Sequence, residues 1–535
     1  MSSFLNKNYT YYLLPIFILL LLSCHSKKVD KVDYEPIFIT EHPSEVDVRF
    51  YVNNSHGVIY SSNISGKYQL YQWKNGLTKQ VSNNDAHVFR PFIYLDEING
   101  LKDSNGSEEF SLLKTPGLNF GKRFDFIIPS SQGNFLLSKV SGSDKVVLTD
   151  IKNSKNRVIS EGNRFNKGAF SADESKLVFS TENQINLSDL VKNKRFQIAT
   201  MLPGKKYNPS IYNDKVFYSS NVESEFFQIY ESSTDSPDAH ILLVASSNDL
   251  RLPKFDGEYL YYIEIERGSY VLKRLKYPSG QSEKITKSGV VYNFDFIGKD
   301  SVAFIYSDLL IPRGVFLFND NLVTPISNID SVENNIEMNF LEKGSNRSSA
   351  FIMKPRDIPT KGIVCFFHGA PDFSPRWDPI LNAICNNGYT VIVPNYPGTF
   401  GYGKSFQKLT LEEAVRDMIT WKNYLVKEYQ LPVHYLGLSQ GSNVMEMALL
   451  IDPNNVMSFV SCFGISDWNF SIDKVSGMYI LGENDPIVPF EAKTNKLDLD
   501  NFEVLSFADE GHGLKSTENE RITAKKIIVF MNKNN

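Results

Sequence analysis

At 535 residues the chain is too long for one ordinary domain and asks for two or three, which excludes a small disulfide-stapled module. Apolar residues make up 42% and charged residues 22%, enough to bury a core, so wholesale disorder is excluded as well. Lys plus Arg number 56 against 61 Asp plus Glu, a formal net charge of −5, and a chain without excess positive charge has no electrostatic footprint for a nucleic-acid partner.

Leu13 to Leu22 is an apolar run broken only by Pro15 and preceded by a polar stretch carrying Lys7. At about ten residues it is too short to span a bilayer and suits the apolar region of a signal peptide. Leu21-Leu22-Ser23-Cys24 at its end resembles a bacterial lipobox. That makes residues 1–23 a lipoprotein signal peptide, Cys24 the lipidated first residue after cleavage, and the bacterial cell envelope the destination. A plain secretory signal with a chance cysteine is the other reading. The partner expected at this end is a membrane, reached through the lipid anchor. Residues 24–45 follow as a tether, since Lys27 to Asp33 is charged and lacks apolar periodicity. Cys365, Cys385 and Cys462 each sit in an apolar segment with no CxxC spacing and no nearby His at zinc-ligand intervals. Buried free thiols are expected, and neither a metal nor another cofactor.

From residue 46 to 330 the chain is rich in short apolar runs and has almost no long helical pattern, and its 13% aromatic content favours strands. One strand per unit aligns at Val58, Ile98, Phe135, Leu177, Val216, Leu260 and Val302, with gaps of 40, 37, 42, 39, 44 and 42 residues. Most are followed by a turn-like segment and a second apolar run, such as Ile185-Asn186-Leu187 or Val315-Phe316-Leu317, which is hairpin logic. Seven meanders of that period predict a seven-bladed β-propeller, because a lone meander cannot bury both faces and radial closure leaves few edges. A pair of β-sandwiches with coincidental spacing is the alternative.

From residue 331 to 535 short apolar strands alternate with amphipathic stretches. The strands are placed at Ile363 to Phe367, Thr390 to Val393, His434 to Leu438, Ser458 to Phe463, Met478 to Leu481 and Glu503 to Phe507. Helices are placed at Trp377 to Asn387, Leu411 to Tyr429, Ser442 to Leu450 and Glu518 to Met531. Such alternation predicts an α/β domain with a doubly wound, mostly parallel sheet.

Within it, Gly437-Leu438-Ser439-Gln440-Gly441 fits a nucleophile elbow, with a strand leading in and a helix leading out. A serine hydroxyl needs a base, and in this fold the order is serine, acid, histidine. Seven of the eight histidines precede Ser439, which leaves His512, in the loop after the last strand. The orienting acid is assigned to Asp485, 46 residues after Ser439 and 27 before His512, with Glu483 and Asp467 as competitors. His368-Gly369-Ala370 follows the first internal strand, so the backbone N–H groups of Ala370 and Gln440 are the expected oxyanion donors. His368 itself is assigned a structural role.

These segments resemble the prolyl oligopeptidase family of serine peptidases, in which a β-propeller precedes an α/β-hydrolase catalytic domain. His368 to Pro371 is similar to the family's HGGP, and Pro394 to Gly403 to its PNYRGSxGYG. Gly437 to Gly441 and the Gly-Glu-Asn-Asp and Glu-Gly-His-Gly segments complete the likeness. The resemblance implies a peptidase acting on short peptides through an acyl-enzyme, with Ser439, Asp485 and His512 as its triad and a propeller that restricts access. An esterase or deacylase on the same triad, or a catalytically silent propeller-based binding lipoprotein, are the alternatives. The chain departs from the family at Pro397, where arginine is usual, at Gln440, where tyrosine is common, and between Asp467 and Met478, where relatives carry a longer helical insertion. Trp468 and Phe470 are the aromatics left nearby as a substrate pocket, so a more open apolar site with weak proline preference is expected.

Overall fold

The computed structural model describes residues 57–94, 97–103, 109–114, 122–140, 143–153, 155–161, 165–181, 184–199, 204–308, 311–327, 335–343, 348–369, 376–408, 410–464, 475–495 and 502–535. All belong to one compact unit, Phe38–Asn535. The signal sequence, Cys24 and the tether lie outside the described residues.

Antiparallel meanders cover residues 58–80, 87–112, 122–161, 165–198, 206–244, 250–284 and 290–325, with three described strands in each of the first two and four in each of the others. Asn75-Gly76, Arg267-Gly268 and Asp320-Asn321 close hairpins with positive φ at both residues, the turn whose twist matches that of the flanking strands. The second and third meanders are bridged through Glu109–Leu112 and Lys122–Pro129, and the sixth and seventh through the single pair Tyr270 and Val290.

Apolar side chains pack each meander on the next. Leu101 and Ile127 share a cluster, as do Leu148 and Leu177, Leu187 and Val216, Ile229 and Leu260, and Leu272 and Val302. The cycle then returns to its start, because Ala303, Ile305 and Val315 of the last meander pack on Val58, Tyr60 and Tyr71 of the first. The Thr78 hydroxyl adds a hydrogen bond of 2.8 Å to the Ile326 carbonyl across the same seam. Small antiparallel sheets joined in this way fit a β-propeller, whereas a sandwich places one core between two facing sheets.

A second repeat was not read from the sequence. The first strand of each meander from the second onward shifts register at the same place, between Phe89 and Phe92, Phe124 and Phe126, Phe165 and Lys167, Tyr207 and Ser210, Arg251 and Lys254, and Val291 and Asn293. Pro91, Pro209 and Pro253 sit in three of these bulges, where a residue without an N–H costs no ladder bond.

The second part is one eight-stranded sheet. Its strands are β1 (Ile336–Lys343), β2 (Ser348–Pro355), β3 (Gly362–Phe367), β4 (Tyr389–Asn395), β5 (Val433–Leu438), β6 (Val456–Cys462), β7 (Ser476–Gly482) and β8 (Phe502–Phe507). Its helices are α1 (Pro379–Asn386), α2 (Lys404–Gln407), α3 (Leu411–Tyr429), α4 (Gln440–Ile451), α5 (Phe490–Thr494) and α6 (Thr517–Lys533). The order across the sheet is β1-β2-β4-β3-β5-β6-β7-β8, parallel from β4 to β8 and antiparallel at β1 and β2. Sequence patterning finds β3 to β8 but not β1 and β2. Six of the eight β2 residues are buried, so that strand shows no alternation to read.

Helix α3 starts at a capping box in which the Thr410 hydroxyl accepts from the Glu413 amide and the Glu413 carboxylate accepts from the Thr410 amide. Val415, Met418 and Trp421 on one face of α3 then pack with Val444 and Ala448 of α4 against Cys365, Phe367 and Tyr435 of the sheet. Cys365, Cys385 and Cys462 are buried free thiols, and burial pushes each up to about 12.

Closure of the ring predicts an asymmetric mutational response. Ile305→Ala, at the seam between the last and first meanders, should cost about 2–5 kcal/mol in urea denaturation. Leu322→Ala on the exposed outer strand should stay within about 0.5 kcal/mol, and equal effects would count against a closed ring.

Candidate active site

Ser439 stands between the end of β5 and the first turn of α4 with φ 52° and ψ −120°, a conformation that few residues adopt without support. Its amide donates to the Cys462 carbonyl at 2.8 Å, which ties the turn to the neighbouring strand. Gly441 is required on the helix side, since a Cβ there would lie 2.1 Å from the Phe367 carbonyl oxygen and 2.4 Å from that of His368. The close approach brings the end of β3 beside the serine.

Asp485 follows β7 in a turn where its Oδ1 accepts from the amides of Ile487 and Val488, each at 2.8 Å. Those bonds leave Oδ2 for His512, whose Nδ1 lies 2.8 Å away. A carboxylate only accepts, so Nδ1 carries the proton and Nε2 presents its lone pair. Nε2 lies 2.8 Å from the Ser439 hydroxyl, and a base placed there can take the serine proton. The acid is buried, with 2% side-chain exposure, while the histidine keeps 15%. The Phe463 ring meets the imidazole edge-on at a centroid distance of 6.2 Å.

Glu483, the first competitor for the acid, instead accepts from the Ser506 hydroxyl at 2.8 Å on an exposed face. Asp467 lies outside the described residues, as do Trp468 and Phe470. Of the two expected oxyanion donors, Gln440 opens α4, where an amide has no intrahelical acceptor, and Ala370 lies outside the described residues. Among the described residues no group of three or more His, Cys, Asp or Glu side chains is placed to hold a metal ion.

His368 is buried against Tyr396, ring on ring at 4.2 Å, and the Tyr396 hydroxyl donates to the His368 carbonyl. Its Nδ1 is 2.9 Å from the Gly369 carbonyl, so it braces the strand end without facing the serine–histidine pair. Pro397, where the resemblance would place arginine, sits in a turn held by the Thr399 hydroxyl and amide on the Tyr396 carbonyl. Gly398 donates to the Phe406 carbonyl in the same turn. The segment then meets the propeller, where Arg251 covers the Phe400 ring at 5.3 Å and the Glu225 carboxylate accepts from the Ser405 amide at 2.7 Å.

One residue that braces the site escaped the sequence reading. Glu510, two positions before His512 and fully buried, accepts from the amides of Lys515 and Ser516 at 2.9 and 3.0 Å and from the Asn519 side chain at 2.8 Å. It holds the histidine loop to the start of α6, and burial pushes its carboxyl above the usual range. An acid directly before the Gly-His-Gly segment was the available signal.

Residues 362–482 match the family model of the α/β-hydrolase fold. No curated protein matches the chain by sequence. Among solved structures, the chain is similar to a puromycin-hydrolysing peptidase of Mycobacterium tuberculosis, with a TM-score of 0.75 and 14% identity over 92% of this chain and 94% of that one. It is similar to a prolyl endopeptidase from a comparison of two such enzymes, with a TM-score of 0.77 and 12% identity over 92% and 90%. It is also similar to oligopeptidase B from Trypanosoma brucei with covalently bound antipain, in a closed form, with a TM-score of 0.76 and 11% identity over 92% and 88%. The likeness spans both parts of the chain, and the fold is that of the prolyl oligopeptidases, a β-propeller with an α/β-hydrolase domain.

Burial lowers His368 from an ordinary 6.5 to about 4. The folded state therefore favours the neutral ring, and the stability this contributes is complete above about pH 6.5 and lost as pH falls through that window to about 4. At about 1.4 kcal/mol per pH unit the window amounts to about 3 kcal/mol. His368→Asn should flatten the denaturant-measured stability profile by close to one proton between pH 6.5 and 4, leaving a remainder from His87, which burial lowers to about 4, and from His240 and His434, which burial also lowers. An unchanged slope would show that His368 is not held neutral.

Proposed function

We propose that this protein is a serine peptidase that cleaves short peptides through an acyl-enzyme. The observation that carries the reading is the unbroken chain from the Ser439 hydroxyl through His512 to Asp485, with 2.8 Å at each link. It lies on a fold shared with solved peptidases. The serine oxygen attacks the peptide carbonyl as His512 Nε2 takes its proton, and Asp485 stabilises the imidazolium. The amides of Gln440 and Ala370 hold the oxyanion. Collapse breaks the C–N bond, the amine leaves with the proton from His512, and water repeats the sequence on the ester to release the acid and restore Ser439.

We read the ring as seven-bladed over residues 46–330, standing before a catalytic domain over 331–535, and as a barrier to folded substrates. Trp468 and Phe470 are assigned to a pocket that accepts apolar residues with little preference for proline. A fluorophosphonate probe should label the purified protein and fail to label Ser439→Ala, and persistent labelling of the variant would refute the assignment. In parallel turnover assays, peptide anilides should be cleaved, casein should be cut far more slowly per site, and proline should hold less than about a hundredfold advantage in kcat/KM. Turnover of aryl esters alone would identify an esterase.

At the N-terminus we propose that residues 1–23 are removed and that a lipid on Cys24 anchors the protein in a bacterial envelope, with the Leu21 to Cys24 motif as support. Cys24→Ser should leave the protein unprocessed or released from the membrane fraction, and a processed, fully membrane-bound variant would refute the anchor.

A further inference from the structure

His512 lies in a loop with a glycine on either side, and Gly513 adopts φ 130° with nothing within 4 Å of where its Cβ would stand, so little packs on that side of the imidazole's backbone. A side chain that must keep two hydrogen bonds of 2.8 Å from such a loop depends on what holds the loop ends. Glu510 clasps the two ends of the loop together, accepting from the amides of Lys515 and Ser516. The clasped loop is then held to the propeller at Lys515.

Lys515, three residues beyond His512, places its Nζ 3.1 Å from Asp103 Oδ2, at the end of the strand Glu97–Asp103 in the second meander. The side chains are 13% and 0% exposed, so the pair is shielded from solvent and from salt. Two more propeller residues meet the same lysine. Asn63 donates to its carbonyl at 3.4 Å, and the Phe89 ring lies 5.8 Å from its Nζ. The neighbouring His87 accepts from the Tyr68 amide at its Nδ1, and burial together with Lys515 holds it neutral. Lys515 is thus the cation opposite Asp103.

We infer that Lys515 is a positioning residue through which Asp103 of the propeller holds residues 510–516 in the geometry that aims His512 at Ser439. The serine–histidine contact then depends on the docked propeller, whose second meander acts as part of the active-site scaffold as well as a barrier. The inference rests on the proposed role of Ser439 and His512 as nucleophile and base.

The test uses the full chain and three variants, Asp103→Asn, Lys515→Met and the double variant. The double variant removes both charges together, so it remains informative if a single change leaves an unpaired buried ion and fails to fold. Two readouts are taken below the melting transition: kcat and KM for a peptide anilide, and amide hydrogen exchange across residues 508–516. The expected result is a fall in kcat of about tenfold to a hundredfold with KM within about twofold, and faster exchange confined to that loop. The double variant should lose no more than the worse single one, as expected for two residues acting as a unit. Folded variants with unchanged kcat and unchanged loop exchange would overturn the inference. A wild-type protein inert to the fluorophosphonate, in variants of which loop exchange still rises, would instead overturn the proposed chemistry and leave the anchor standing.

Discussion

The left-handed backbone at Ser439 constrains everything around it. Holding a side-chain-bearing residue at φ 52° and ψ −120° costs about 1–3 kcal/mol and persists only where the surroundings over-determine it. Here the hydrogen bond from the Ser439 amide to the Cys462 carbonyl, the start of α4 and the tight approach of the β3 end at Gly441 all act on the same turn. The strain has a geometric return. It sets Gln440 at the first position of α4 and brings His368 and Gly369 beside the turn.

The other half of the site depends on a second close approach. A Cβ at Gly482, the last residue of β7, would lie 2.1 Å from the Gly511 carbonyl oxygen, so the acid loop and the histidine loop touch through bare backbone. That contact sets the 2.8 Å between Asp485 and His512, and the amides of Ile487 and Val488 stop the carboxylate from turning away. Ser439 and Asp485 are therefore held by backbone neighbours at the ends of sheet strands.

The junction with the propeller is built on buried polar groups, several of them paired across it. Asp103, Ser220 and Ser307 end the second strands of their meanders and are buried. The Ser307 hydroxyl receives the Trp377 amide at 3.0 Å, and Asp103 receives Lys515. Asp249, fully buried, accepts from the Phe227 amide at 2.8 Å and lies beside the Gly401 backbone; burial keeps its carboxyl above the usual range. The two parts thus meet through specific polar bonds, around Trp377 and Gly401 and at the loop that carries His512.

Features carried by neighbouring residues were legible in the sequence alone. These are the spacing of Val58, Ile98, Phe135 and their successors, the glycines flanking Ser439, and His512 as the histidine that remains once chain order is imposed. They follow from periodicity and turn chemistry, which act over a few residues. The aligned bulges were partly visible as Pro91, Pro209 and Pro253 but merged with the variation of an imperfect repeat. Tertiary structure decided the rest. Asp485 and Glu483 lie two residues apart in one loop, and only the fold shows which faces the imidazole and which faces Ser506. β1 and β2 are strands through their pairing, β1 antiparallel on β2 and β2 antiparallel on β4. The pairing of Asp103 with Lys515 joins residues 412 positions apart, and such a contact leaves no local pattern because packing alone brings its partners together.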